Sequence, residues 1–172
     1  MNETHRIYLS LGSNIGAETH LPKAVEMLRE EGKVVSVSSV WESESVGFDG
    51  PNFLNACILF ITPLAPVEFK EKVIRPIESK LGRVRSSEKN APRTIDIDIV
   101  LYDERPLNTD FWEYAFVVVP LAEILPGFKH PANSVGLAQF AEQLKGQVWM
   151  RKREDVLLSP ADSRSAEAPR RG

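Results

Sequence analysis

Hydrophobic and polar residues alternate in four stretches of the chain, which is the pattern of strands that bury one face. The stretches are residues 6–12, 34–43, 53–62 and 94–99. In the third, Leu54, Ala56 and Ile58 fall on one face, whereas Phe53, Asn55 and Cys57 fall on the other. A polar asparagine between two apolar neighbours marks that second face as a candidate for binding chemistry.

Two further stretches carry apolar residues at helical spacing. In the first, Leu21, Val25 and Leu28 precede Gly32, and Pro22 is expected in the first turn. The second begins at Pro66 and ends at Gly82; its apolar face is formed by Phe69, Val73, Ile77 and Leu81. Pro76 lies inside this second helix and predicts a kink there.

The resulting order is strand, helix, strand, strand, helix, strand. This order predicts an α+β fold, a ferredoxin-like βαββαβ sandwich with both helices on one face of the sheet and the other face open. An added C-terminal strand and short helices complete the prediction. Residues 115–126 are expected to form the strand followed by a helical turn, and residues 135–144 a short amphipathic helix.

Composition limits the possible classes of protein. With 172 residues, 42% of them hydrophobic, the chain can bury one substantial core, and a single domain is predicted over residues 1–158. Residues 159–172 are small, polar and charged and are expected to be a disordered tail. A net charge of −3 gives no general attraction to nucleic acid or to anionic membranes.

Cysteine content and the N-terminal sequence bear on location. Cys57 is alone, so it forms no internal disulfide, and its setting in NACILF is that of a buried apolar residue. The chain shows no signal-peptide pattern and no apolar run of membrane-spanning length. A cytoplasmic protein without membrane or nucleic-acid partners is therefore expected.

The fourth strand contains the sequence that most suggests chemistry. Asp96 and Asp98 share the face opposite Ile95 and Ile97. Residues two apart on a strand are separated by about 6.5 to 7 Å, so both carboxylates can approach one point. An ordinary strand with an acidic solvent face is the alternative interpretation.

Basic residues precede this strand closely. Arg83, Arg85, Lys89 and Arg93 all lie within eleven residues. Carboxylates that hold a hard dication, beside cations that hold phosphate, are the groups that phosphoryl transfer requires. The sequence therefore favours a metal-assisted phosphoryl transfer site over an acidic surface strand.

Four sequence blocks carry a family resemblance. They are YLSLGSNIG at 8–16, FLNA at 53–56, GRVR at 82–85 and APRTIDIDIVLY at 91–102. In this order they resemble the 6-hydroxymethyl-7,8-dihydropterin pyrophosphokinase family, over residues 6 to about 126. The resemblance implies the same ferredoxin-like fold, and transfer of a diphosphoryl group from MgATP to the hydroxymethyl group of a reduced pterin in folate biosynthesis. It also implies a monomer or weak dimer.

The resemblance implies a role for individual residues. It makes Asp96 and Asp98 the ligands of two Mg²⁺ ions bound with ATP. The implied catalytic residues are these two aspartates together with Arg83 and Arg93. The ATP contacts would be Glu78, Arg83, Arg85, Lys89 and Arg93. The pterin contacts would be Ser43, Val46, Gly47, Phe53, Asn55 and Phe116, with the two phenylalanines stacking on the ring. Glu78 is equally compatible with a solvated helix position, and Phe116 with core packing.

The chain departs from the family pattern between residues 108 and 116. Where the family carries a Pro-His pair and an arginine that contact phosphate, this chain reads TDFWEYA, with Tyr114 and Ala115 at the matching places. This leaves a non-catalytic homologue that binds pterin or nucleotide as the alternative function. An RNA-binding module of the same topology ranks last, because the open face offers carboxylates where stacking aromatics and cations would be needed.

Overall fold

The computed structural model describes residues 3–45, 49–84, 92–107 and 110–158. Within these ranges, seven strands form one antiparallel sheet. They are β1 His5–Ser13, β2 Lys33–Val37, β3 Trp41–Ser43, β4 Phe53–Thr62, β5 Asp96–Tyr102, β6 Arg105–Pro106 and β7 Met150–Lys152. The strand order is β6-β5-β1-β4-β3-β7, and β2 also pairs with β4. The predicted α+β class and ferredoxin-like sandwich are confirmed.

The first face of the sheet is covered by two helical segments. Helix α1, Ala17–Glu31, packs Leu21, Val25 and Leu28 into a core that also contains Ile95 and Ile97 of the fourth predicted strand. The helix begins a full turn earlier than predicted, because Gly16 adopts a left-handed conformation (φ 54°) and its carbonyl accepts the amides of the first turn. Pro22 therefore lies inside the helix, not in its first turn.

The second helical segment is continuous from residue 66 to residue 80 but is not uniform. It comprises α2 Pro66–Phe69, a π-helical turn Lys70–Ile74 and α3 Arg75–Lys80. Pro76 cannot donate a backbone hydrogen bond and would crowd a regular preceding turn. The wider turn immediately before it accommodates the proline, which is the irregularity that the sequence predicts as a kink.

The opposite face is not open along its whole length, contrary to the sequence prediction. Helices α4, Ala115–Ile124, and α5, Leu137–Lys145, pack against its far end and form a second core with Tyr8, Cys57 and Leu59. The prediction of a strand at 115–126 is wrong. A β-branched run favours a strand, but this segment is buried between the sheet and α5, and a helix that is apolar on all sides suits such a position.

The predicted second strand is interrupted. It forms β2 and β3, which pair one after the other along the same edge of β4 and are separated by residues 38–40. Ser38 causes the break, because its Oγ accepts the backbone N–H of Cys57 at 2.8 Å in place of a regular ladder bond. The chain then returns after α5 as β7, which pairs with β3 and supplies the added C-terminal strand.

Of the helices in the described parts of the chain, none has the length and apolar character needed to cross a membrane.

Candidate active site

One row of residues crosses the sheet from β5 through β1 and β4 to β3. The register pairs Asp96 with Gly12, Gly12 with Asn55, and Asn55 with Trp41. Directly paired residues in antiparallel strands project to the same face. The sheet therefore places the predicted metal aspartate and the predicted pterin asparagine on one surface, with a glycine between them.

Asp96 lies at the centre of a hydrogen-bonded charge network. Arg83 Nη1 donates to Asp96 Oδ1 and Arg93 Nη1 donates to Asp96 Oδ2, both at 2.8 Å. Arg83 Nη1 also donates to Glu78 Oε2 at 2.8 Å. Desolvation lowers the pKa of Arg83, but the charges of Asp96 and Glu78 outweigh it and the pKa is raised. The structure thus brings both predicted central arginines to the same carboxylate.

Glu78 is not a solvated helix residue. Its side chain is 4% exposed, and Oε2 accepts the backbone N–H of Ile97 at 3.0 Å. Ile97 lies between the two aspartates, so Glu78 fixes the backbone from which both project. The same bond satisfies the Ile97 N–H, which lies on the edge of β5 away from β1. The predicted direct contact of Glu78 with ATP stays a prediction.

Asp98 differs electrostatically from Asp96. The pKa of Asp98 is raised to about 6. Asp98 is an exposed residue, yet partial desolvation by neighbouring protein atoms is the largest cause of the raised pKa. The negative charges of Asp96 and Glu78 add to it, while Lys70 and Arg83 oppose it. An added cation at this position would relieve the repulsion.

The two aspartates of β5 fit a magnesium ion only if other oxygen ligands complete its coordination. Two carboxylates project from one strand face, and no cluster of three or more acidic, histidine or cysteine side chains forms a cage within the described ranges. Mg²⁺ typically binds through one or two carboxylates, waters and substrate phosphates. Asp96 and Asp98 match that pattern, and the arginines beside them suit the phosphates.

Asn55 is oriented by the protein before any ligand arrives. Its side chain is 2% exposed, and Nδ2 donates to the Trp41 carbonyl at 3.0 Å and to Ser43 Oγ at 2.8 Å. Because both amide protons are used, Oδ1 is the group left to meet a ligand. It lies 3.4 Å from the position that a Cβ at Gly12 would occupy. Ser43, a predicted pterin contact, therefore acts on this geometry by holding Asn55.

Gly12 lies in this row, although it is not among the site residues predicted from the sequence. A Cβ built there would lie 3.4 Å from Asn55 Oδ1 and 3.7 Å from Phe53 Cδ1. Because Gly12 has no side chain, the sheet surface between Asp96 and Asn55 is free for a ligand. The alternation of residues 6–12 places Gly12 on the same face as Ser10. The sequence does not show that Gly12 lies between Asp96 and Asn55, because that depends on which strands pair.

Asn14 is a second residue that the sequence analysis missed. Its Oδ1 accepts the Arg93 backbone N–H at 2.7 Å, and its own N–H donates to the Arg93 carbonyl at 3.0 Å. The turn after β1 thereby anchors the arginine. The signal in the sequence for this turn is the run Gly-Ser-Asn that ends the first strand.

The predicted aromatic contacts lie on different elements. Phe53 begins β4 and is half-buried beside Gly12. Phe116 lies in the first turn of α4, half-buried, and stacks on Tyr114 with ring centroids 5.1 Å apart. Trp112 is buried among Phe111, Phe128 and Phe140, which makes it a core residue. Predicted contacts Val46, Gly47, Arg85 and Lys89 lie outside the described residues.

The family model described as 7,8-dihydro-6-hydroxymethylpterin-pyrophosphokinase (HPPK) matches residues 8–126. The 2-amino-4-hydroxy-6-hydroxymethyldihydropteridine pyrophosphokinase of Bacillus subtilis (strain 168) is 36% identical over 157 residues, covering 84% of this chain and 90% of the relative. The chain belongs to this family. The predicted pyrophosphokinase of folate biosynthesis is thereby confirmed, and nothing in the similarities favours a non-catalytic homologue.

Two further comparisons concern longer proteins. Folic acid synthesis protein fol1 of Pneumocystis carinii is 33% identical over 153 residues, covering 83% of this chain and 20% of the relative. The crystal structure of wild-type Plasmodium falciparum HPPK-DHPS superposes with a TM-score of 0.64 at 12% identity, over 85% of this chain and 42% of that chain. At that identity the structural likeness supports the fold alone.

Proposed function

We propose that this chain transfers the diphosphoryl group of ATP to the hydroxymethyl group of 6-hydroxymethyl-7,8-dihydropterin, giving the pterin diphosphate and AMP. The observation that carries the proposal is the row Asp96, Gly12 and Asn55 across three adjacent strands. Groups suited to phosphate and groups suited to a heterocycle lie on one surface, and the residue between them has no side chain. A pterin held by Asn55 could thus direct its hydroxymethyl group towards the nucleotide.

Asp96 and Asp98 would hold two Mg²⁺ ions together with the phosphate oxygens of ATP. When bound, magnesium supplies neutralisation of charge on the transferred group and alignment of the attacking hydroxyl. The raised pKa of Asp98 accords with this role, because a crowded carboxylate gains most from a nearby cation. Glu78 would keep both aspartates in place through the Ile97 backbone.

Arg83 and Arg93 would serve the triphosphate. A planar guanidinium binds phosphate oxygens in two places, which suits both residues. Without nucleotide they neutralise Asp96, at 2.8 Å each. Binding of MgATP would then redistribute these bonds, with the arginines turning part of their donors to phosphate. Arg85 and Lys89, which precede β5 in the sequence, stay predicted contacts.

The pterin would bind over the asparagine half of the row. Asn55 Oδ1 would accept an N–H of the pterin ring, because its amide protons are engaged elsewhere. Phe53 and Phe116 would stack on the ring faces, and Tyr114 would hold the Phe116 ring. A substrate that presents an acceptor at this position would leave two oxygens facing each other and would be rejected.

We also propose that residues 1–158 constitute a single domain. The two hydrophobic cores share the strands of one sheet, since Leu9 packs on one side of β1 and Tyr8 on the other. Removal of either helical layer would expose the other side of the same strands. Unfolding monitored by near-ultraviolet circular dichroism and by intrinsic fluorescence should follow one coincident transition.

The direct test is AMP release from ATP, with and without 6-hydroxymethyl-7,8-dihydropterin and with Mg²⁺ or EDTA. The native chain should release AMP only when both pterin and Mg²⁺ are present. Asp96→Ala and Asp98→Ala should each lower kcat by about a thousandfold or more, the scale of losing transition-state charge stabilisation. Glu68→Ala, an exposed carboxylate on α2, is the matched control and should be unchanged.

Absence of AMP release from the native chain would have one of two meanings. A folded native chain that releases no AMP yet is stabilised against heat by the pterin would be a binding homologue. A folded chain with neither property would disprove the pterin assignment altogether.

A further inference from the structure

The C-terminal strand β7 reaches the asparagine side of the active site through a charge cluster. We call the Glu42 cluster the set of Glu42, Asn52, Arg151 and Arg153. Glu42 Oε1 accepts Arg151 Nη2 at 2.9 Å and Arg153 Nη1 at 3.0 Å, while Oε2 accepts Asn52 Nδ2 at 2.8 Å. One carboxylate therefore joins β3, the chain just before β4, and the C-terminal segment.

Burial and charge indicate that the cluster is more than a surface ion pair. The side chains of Glu42 and Arg153 are 13% and 16% exposed. The hydrogen bond from Asn52 lowers the pKa of Glu42, desolvation opposes this, and the two arginines lower it further, so the carboxylate stays charged at neutral pH. Partly buried charged hydrogen bonds are stronger and better defined geometrically than exposed pairs.

Arg153 ties the cluster to two other parts of the molecule. Its backbone N–H donates to the Val40 carbonyl at 2.8 Å, immediately before β3. Its guanidinium also bonds Asp155 at 2.8 Å and reaches Glu18 of α1 at 3.4 Å. The C-terminal segment thus forms a strap that fixes β3 against the sheet and against the first helix.

Strand β3 is the element that orients Asn55. It has three residues, and the central one, Glu42, faces away from the site, whereas its neighbours face towards it. Those neighbours supply both acceptors for the Asn55 amide, the Trp41 carbonyl and Ser43 Oγ. A shift of β3 would therefore turn Asn55 Oδ1 away from the ligand surface. This short strand makes three register pairs with β4 and three with β7, and Trp41 Nε1 donates to Glu123, so the C-terminal segment supplies a large share of what holds it.

We propose that Glu42 and Arg153 are positioning residues for pterin recognition, acting through β3 on Asn55. This inference rests on the proposed function. Their influence falls on the pterin and not on ATP, because β3 and β7 lie at one side of the sheet and the carboxylates of β5 lie beyond β1 and β4. The contribution of the C-terminal strand is thus local to one substrate.

The test compares Glu42→Ala, Arg153→Ala and the double variant in the full chain, measuring kcat, the KM for each substrate and pterin binding by calorimetry. Each single variant should raise the pterin KM and Kd by about tenfold, the scale of a modest misplacement of a binding group. The ATP KM should stay within about twofold. The double variant should resemble the singles, since either one breaks the same linkage.

Two further variants and one control complete the design. Arg153→Lys keeps a cation beside Glu42 and should recover most of the pterin affinity. Asn52→Ala removes one contact of the cluster with little risk to folding and should raise the pterin KM by about threefold. Lys72→Ala, which breaks an exposed ion pair on the helix at 66–80, should leave both KM values unchanged.

The outcomes separate this inference from the proposed function. Pterin KM values that stay at the native level in all cluster variants, or pterin and ATP KM values that rise together, would overturn the inference while leaving the reaction intact. A native chain without pterin-dependent AMP release would instead remove the reaction itself. Additive effects of the two single substitutions would also contradict the linkage.

Discussion

The two halves of the active-site row are prepared for ligands to different degrees. In the half around Asn55, both amide protons already bond to β3, and one acceptor oxygen remains for a substrate. In the half around Asp96, each carboxylate oxygen already accepts an arginine. The first half is complete without ligand. The second must exchange its present bonds for new ones when nucleotide and metal arrive.

This difference follows from the chemistry of the two substrates. A neutral heterocycle gains affinity from fixed hydrogen-bonding groups, because nothing has to move when it binds. A cluster of two carboxylates and two arginines, in contrast, must remain charge-balanced both with and without a highly charged ligand. Pairing of Asp96 and Glu78 with Arg83 and Arg93 achieves this balance in the free protein.

Substitution of Arg83 is expected to have the largest effect on the Asp96 half of the row. Arg83→Ala removes a cation from Asp96 and from buried Glu78, and should lower the free energy of unfolding by about 3 kcal/mol, besides lowering kcat. Arg93→Ala should lower stability by only about 1 kcal/mol, since its side chain is more exposed. Urea unfolding measures both, with Arg75→Ala, in an exposed pair, as the control. Equal losses for Arg83 and Arg93 would show that Glu78 does not depend on Arg83.

Substitution of Asn55 is expected to have the next largest effect, a loss of pterin binding without a change in ATP binding. Asn55→Ala removes the acceptor and should weaken pterin binding by about 1.5 to 3 kcal/mol, or 10- to 150-fold in Kd. The ATP KM should stay near its native value. Ser43→Ala leaves Oδ1 present but loosens it, so a smaller loss is expected. Calorimetric titration with pterin measures both, and a Ser43 effect as large as that of Asn55 would contradict the preset orientation.

Gly12→Ala tests the space between the halves. The added methyl would meet Asn55 Oδ1 at 3.4 Å and Phe53 Cδ1 at 3.7 Å, which the free protein tolerates. Stability should change by less than about 1 kcal/mol, while pterin KM rises about tenfold because the methyl occupies ligand space. Thermal unfolding and steady-state kinetics separate the two. A variant with native kinetics would mean that the ligand does not pass over Gly12.

The smallest expected effect concerns the electrostatics of Asp98. Its pKa of about 6 exceeds the ordinary 3.8, so the folded state binds the proton more tightly than the unfolded state. The corresponding stabilisation is fully present below pH 3.8 and is lost as pH rises through 6. In EDTA, Asp98→Asn should therefore gain up to about 1 kcal/mol over native protein above pH 6, allowing for solvent screening.

Melting temperatures of the two proteins between pH 4 and 8 provide the measurement for Asp98. The difference between them should shrink towards zero as pH falls to 4. A constant difference across that range would show that the carboxylate charge is not its cause.

Local sequence pattern was sufficient for much of the sheet. The strand 53–62 was predicted with its observed limits, and the division of Phe53, Asn55 and Cys57 from Leu54 and Ala56 was correct. Ile97 and Ile99 of β5 lie in the core beneath the helices, on the face opposite the aspartates, which is the separation that the alternation predicts. In these strands one face is buried, and alternation alone specifies that face.

Predictions failed where tertiary contacts outweigh local preference. The run AFVVVP has strand propensity, yet it forms α4 because the sheet below and α5 beside it bury all its sides. Pro120 was the available warning, since proline is excluded from central strands. The roles of Gly12 and Glu42 depend on which strands are neighbours, and one sequence does not specify the pairing of short segments such as β3 and β7.

The π-helical turn at Lys70–Ile74 sets the rotational phase of the helix that follows it. Each residue of an α-helix advances the chain by about 100° around the axis, so one residue more or fewer turns everything downstream by that amount. Glu78 reaches the Ile97 N–H from α3, beyond the wide turn. Loss of a single residue between 70 and 74 would either rotate Glu78 away from the two aspartates or force the start of the helix to turn instead. The number of residues in this helical segment therefore determines where Glu78 lies relative to the two aspartates.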